Sequence, residues 1–152
     1  MDITALSEAL DQIEDGAVVH HGFTDYLRDY EVVVYMTADP TTSIPPAHLR
    51  YLFRYCVAAR CETSLVPRVW QKSLDDRLID HATADGLDGW VWGVKWANLE
   101  RARVLPESDA ARRWADELGI DLHTVRIETQ VHDLDLVFSE LEITELPASW
   151  EK

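Results

Sequence analysis

Residues 122–146 constrain the fold most. Within them "LHTVRIET", "DLDLVF" and "LEITEL" each alternate apolar and polar residues at period two, with only a few residues between them. Such segments pair as antiparallel hairpins, because a parallel partner needs a crossover of a dozen residues or more. The pattern recurs near the N-terminus, where a strand at 17–23 and a second at 30–38, "YEVVVYMTA", flank a short polar stretch. Val32, Val33 and Val34 make that second strand apolar on both faces, as an interior strand is. "RDYEVVV" (28–34) and "HDLDLVF" (132–138) share one pattern, as two hairpin strands that start after an Asp turn would.

Helical periodicity falls between these hairpins and before them. Residues 2–15 carry Leu6, Leu10 and Ile13 on one face, with Asp2 as cap and Gly16 as the left-handed terminator. After the break "DPTTSIPP" at 39–46, positions Leu49, Leu52, Phe53, Cys56 and Val57 predict a helix over 46–59. A short strand near 61–65 follows. Pro67 then opens a helix to about 82, with Trp70, Leu74 and Leu78 on one face. Residues 90–97 read as a strand, and 108–118 as a helix between Ser108 and Gly119. The expectation is an α+β fold: a mainly antiparallel sheet of about five or six strands, helices packed chiefly on one face, in a single compact domain over 1–152.

Charge limits the partners. There are 28 acidic against 14 basic residues, a net charge of −14, and the lysines are Lys72, Lys95 and Lys152 only. Phosphate backbones and anionic membranes are bound through excess Lys and Arg, so the expectation is no nucleic acid and no membrane. A basic protein or a cationic ligand suits the charge. The N-terminus lacks a signal-like pattern and the apolar runs are too short to span a bilayer, which predicts a cytoplasmic protein. Cys56 and Cys61 have no second pair to close a zinc site, and they read as reduced thiols.

Signatures of catalysis are absent. The chain contains no G-x-S-x-G, no G-x-G-x-x-G and no G-x-x-x-x-G-K-[ST], so no cofactor, metal or catalytic residue is assigned. The acids of 73–89 (Asp75, Asp76, Asp80, Asp85 and Asp88) lack calcium-loop spacing and read as a negative band. In "VHHGFTDYLRDYE" (19–31), a regular strand sends His20 and His21 to opposite faces, so the pair cannot share one metal. Thr24–Asp29 reads as a hairpin loop, leaving one histidine with Asp25, Arg28 and Asp29 at the lip of the sheet. In "DGWVWGVKW" (88–96), Trp90, Trp92, Val94 and Trp96 share a parity. As a strand they would form an inner, core face, with Gly93 at a close approach. Were that face open, it would be a ligand platform.

Two functions follow. The first is a non-enzymatic acidic protein-binding domain, of the immunity or antitoxin kind, that takes a basic protein through Asp25, Asp29, Glu31, Asp75, Asp76 and Asp80. The alternative is a small enzyme or ligand binder using His20 or His21 with Asp25, Arg28 and Asp29. A native mass above the 17.4 kDa monomer would instead favour a subunit of a larger assembly.

The blocks "HHGFTDYLRDYEVVVYMTADP", "HLRYLFRYCV", "SLDDRLIDHAT", "DGWVWGVKW" and "VRIET…HDLDLVFSELEITELP" span about residues 18–147. Together they resemble the YxiG-like family, an uncharacterised group of bacterial proteins. The resemblance implies a compact bacterial intracellular domain and carries over no catalytic residues.

Overall fold

A computed structural model describes residues 1–37, 41, 43–147 and 149–152. The end of the 30–38 strand at Ala38 and part of the "DPTTSIPP" break lie outside the described residues.

The chain opens with α1 (Ile3–Asp11), where the Asp2 carboxylate accepts the Ala5 amide as N-cap. Its apolar face, Leu6, Ala9 and Leu10, continues to Ile13 and is buried in the core. Gly16 does not supply the left-handed residue; Asp15 does, at φ 65°. What Gly16 provides is room, since a Cβ there would overlap the side chains of Val34 and Met36.

Among the described residues, eight antiparallel strands follow rather than five or six, with three α-helices. They are β1 (Ala17–Phe23), β2 (Tyr30–Met36), β3 (Ala47–Arg54), β4 (Ala58–Thr63), β5 (Ala97–Leu105), β6 (His123–Thr129), β7 (His132–Phe138) and β8 (Glu140–Leu146). Their order across the sheet is β4-β7-β6-β5-β1-β2-β3-β8. The helices do not form a layer over one face: α1 plugs the core, whereas α2 (Pro67–Lys72) buries no residue and α3 (Asp109–Leu118) buries only Ala111. The Ser108 and Gly119 caps of α3 stand as the sequence indicates.

The segment expected as a helix over 46–59 is β3 and the corner after it. Leu49, Tyr51 and Phe53 face the core at period two while Leu52 is buried on the other face. Burial on both sides lets the same apolar positions satisfy a helical stripe. β3 runs on into β4, and β7 into β8, as one long bent ladder. Arg54 pairs with Glu140 on one side of the bend and Ala58 with Val137 on the other. Residues 55–57 oppose 138–139, so the corner contains one extra residue, the kind of irregularity that lets strands pass from one sheet to another. The Val57 amide donates to the Val137 carbonyl and the Ser139 amide to the Arg54 carbonyl, keeping the ladder bonded through the turn.

Two four-stranded sheets therefore curl around one core, joined at this closed seam. On the opposite side β1 meets β5 at only two positions, Ala17 to Asn98 and Val18 to Ala97. Beyond them the sheets part, and the gap is an open seam. The core between them is led by Tyr51, Phe53 and Phe138, the last two in an edge-to-face contact at 4.8 Å between centroids.

Two other expectations are corrected. The helix predicted over 67–82 stops at Lys72 and resumes only as a 3-10 turn, Asp76–Ile79. Residues 90–96 are not a strand and their tryptophans are not core. Gly89 and Gly93 lie against the backbone of Lys72 and Ile79, as a Cβ at either would show by clashing. That close approach packs the segment on the 72–80 turn instead of in the sheet.

Candidate functional site

The stretch 19–31 runs from one seam to the other, and its two ends are built differently. At the closed seam, Asp29 is fully buried. Its Oδ1 accepts the Arg28 Nε (2.9 Å) and the Tyr55 amide (3.0 Å), and its Oδ2 accepts the Tyr26 hydroxyl (2.8 Å) and Arg28 Nη2 (3.1 Å). Burial pushes this carboxyl up, but the Arg28 guanidinium, the Tyr55 amide and the Tyr26 hydroxyl outweigh it and hold it at about 2. Arg28 is further sandwiched by the rings of Tyr26 and Tyr55. The Thr24–Asp29 loop is a hairpin turn as expected, with Leu27 in the left-handed region. A groove of about 700 Å³ outside this corner is lined by Leu27, Tyr55, Leu118 and Ile120. Cys56 sits in the same corner, its thiol pushed up to about 11 by burial and so unreactive. Cys61 is exposed.

The two histidines do face opposite ways. A bulge at Val19 shifts the register, after which His20 pairs with Val33 and His21 with Val32. His20 Nε2 lies 3.2 Å from Glu31 Oε1, and Arg50 Nε donates to the other oxygen of Glu31 at 2.8 Å. Trp150, from the C-terminal segment, lies over His20 and His48 at 6.4 and 5.6 Å between centroids. His21 Nδ1 is 2.7 Å from the Tyr30 hydroxyl, and burial, followed by the nearby His132, His20 and Lys152, lowers its pKa.

The open seam forms a cleft of about 220 Å³. One wall is β1 from Val18, the last residue paired to β5, to His21; another is the β6–β7 turn with Thr129, Val131 and His132; Trp90, Trp92, Val94, Lys95 and Trp96 close the third. The tryptophan wall is pegged by Ser73, which is buried. Its hydroxyl donates to the Val69 carbonyl and accepts the Trp90 amide, and its carbonyl accepts Trp92 Nε1. Trp92 also contacts Trp70 at 4.5 Å between centroids, while Trp96 is 52% exposed. Among the described residues, no group of three His, Cys, Asp or Glu is placed to hold a metal, and no helix is long and apolar enough to cross a membrane.

The residues singled out in the sequence are thus scattered. His20 and His21 line the cleft, joined by Lys95 and His132, which sequence spacing did not connect to them. Glu31, not Asp25 or Asp29, is the acid at His20. Asp25 is exposed on the outer face in a shallow groove with Tyr26, Glu31, Arg50 and Lys152. Asp75 is held by Arg77 and lies near 2 through that pairing, whereas Asp76 and Asp80 are exposed and form no ion pair among the described residues.

A profile of the family described as YxiG-like protein matches residues 2–151. The chain belongs to the YxiG-like family. No curated protein matches this YxiG-like chain. Among solved structures it is similar to an uncharacterised protein from Neisseria gonorrhoeae, at 5% identity and a TM-score of 0.39, covering 88% of this chain and 93% of that one.

Proposed function

We propose that this chain is a non-enzymatic protein-binding domain that takes a basic protein partner, in the manner of an immunity protein or antitoxin covering a positively charged toxin. The observation that carries the reading is β8. It ends the strand order, paired among the described residues only to β3, and Glu142, Ile143, Thr144 and Glu145 are exposed in succession. Exposure of both faces together with a free backbone edge suits addition of a further strand. A second copy of β8 would bring acids against acids, which is unfavourable, whereas a strand bearing Lys or Arg would gain roughly 0.2–1 kcal/mol per opposed pair.

The surrounding charge acts in the same direction. Among the described residues, nine ion pairs engage nine of the fourteen Lys and Arg side chains, so most acids keep their charge unopposed. Asp25, Asp76 and Asp80 contribute to that field, which would speed association with a cation and weaken with salt. The test is co-purification with the products of adjacent genes, followed by affinity measurement on the purified pair. Binding that weakens about tenfold or more between 50 and 300 mM salt, and is lost in a Glu142→Lys/Glu145→Lys double variant, supports the reading. Absence of any partner, or binding indifferent to both salt and charge reversal, contradicts it.

A second reading, a small enzyme or ligand binder on residues 20–29, has one observation in its favour. His20 lies within hydrogen-bond reach of the Glu31 carboxylate beside a cleft. Arg28 and Asp29 do not join that pair, being locked together at the closed seam.

A further inference from the structure

The open seam reverses the character of the rest of the surface. In a chain of net charge −14, its lining contains no Asp or Glu. It gathers three of the six histidines, His20, His21 and His132, together with Lys95. Lys152 lies near enough to act on His21 as well. Lys95 and Lys152 are also the two lysines in no ion pair among the described residues; the third, Lys72, is bonded to Asp88.

Charge is only half of the lining. Trp90, Trp92 and Trp96 supply flat apolar walls, and the Ser73 peg fixes the first two before any ligand arrives. A volume of about 220 Å³ exceeds the roughly 150 Å³ that admits a benzene ring in an engineered cavity. With Nδ1 of His21 taken by the Tyr30 hydroxyl, its Nε2 has no hydrogen-bond partner among the described residues.

We propose that the open seam binds a small monocyclic aromatic carboxylate, its ring against the tryptophans and its carboxylate at Lys95, His21 and His132. The site stands independently of the protein-binding reading, since it shares no residue with β8. Burial, followed by His132, His20 and Lys152, lowers the His21 pKa, and an anion bound beside this imidazole would offset that, so binding takes up a proton at His21. Affinity therefore falls as pH rises through the histidine range. The neighbours that bear on His21 are His132, His20, Lys152 and the Tyr30 hydroxyl, while Lys95 shares the cleft lining; Glu31 faces His20 on the other side of the strand.

The experiment titrates the full chain with benzoate, acetate, benzamide, benzyltrimethylammonium and inorganic phosphate, followed by tryptophan emission and calorimetry at pH 6 and pH 8. Benzoate is expected to bind in the submillimolar range at pH 6 and about tenfold more weakly at pH 8. Acetate, phosphate and benzamide should each bind at least about tenfold more weakly than benzoate, since each lacks the ring or the carboxylate. Lys95→Met and Trp96→Leu, both at exposed positions, should each lose about fivefold or more in benzoate affinity with an unchanged melting temperature. The proposal is overturned by tighter binding of the quaternary ammonium, by phosphate or benzamide matching benzoate, by variants that bind as the parent does, or by no carboxylate binding at 10 mM.

Discussion

Where β3 bends into β4 and β7 into β8, the two sheets stay joined by a continuous ladder. Across the core, β1 and β5 share two residue pairs and then separate. Both seams contain acids or bases, aromatic rings and part of the 19–31 stretch, so residue type does not tell them apart. The difference lies in how their polar groups are satisfied. Asp29 at the closed seam is buried and bonded on both oxygens by donors from its own loop and from Tyr55. A charge so fully engaged has nothing to offer a ligand, and it holds the loop to the corner. At the open seam His21, His132 and Lys95 line a space, and among the described residues Lys95 is in no ion pair. Satisfied polarity marks architecture; unsatisfied polarity beside a cavity marks a place for something to bind.

The largest effect that separates the seams should come from Asp29→Ala. It strands the Tyr55 amide and the Tyr26 hydroxyl and frees Arg28, at a cost of about 3 kcal/mol by chemical denaturation. A loss under about 0.5 kcal/mol would mean the corner does not depend on this carboxylate. Acid titration of the parent probes the same group. Its folded pKa, about 2, lies below the ordinary 3.8, so its stabilisation is complete above about pH 4 and is lost as pH falls toward 2. The expected loss is about 2 kcal/mol, absent from the Asp29→Ala variant.

At the open seam, Ser73→Ala removes the peg beneath Trp90 and should cost about 1–2 kcal/mol. Amide exchange should rise around residues 88–96 and stay unchanged at 54–57; a rise spread evenly over both seams would break the distinction. Smallest of all, Glu142→Gln with Glu145→Gln should alter stability by no more than about 0.5 kcal/mol, because these side chains are exposed and form no ion pair among the described residues. A larger loss would show that β8 is a structural edge and not a free surface.

Legibility from the sequence tracks one-sided burial. The β1–β2 hairpin and the β6–β7–β8 run were readable because alternation or an apolar run bounded by turn residues is preserved there. β3 was not, since Leu52 is buried opposite Tyr51 and Phe53 and turns a period-two pattern into an apparent helix. The tryptophan segment misled for another reason. Parity arguments assume an extended chain, and packing of Gly89 and Gly93 against backbone, with the Ser73 peg, folds it out of the sheet. Of the cleft, His20 and His21 stood out and their opposite facing was deducible. Lys95 and His132 join them only through the way the two sheets close, which no local spacing encodes.

The contrast between the seams is tested most directly by measuring melting temperature and benzoate affinity side by side for Asp29→Ala and Lys95→Met. A crossed result is expected: Asp29→Ala melts well below the parent and, while folded, binds benzoate at parental affinity, whereas Lys95→Met melts with the parent and binds about fivefold or more weakly. Variants that lost stability and affinity together, or a Lys95→Met chain that bound as the parent does, would contradict it.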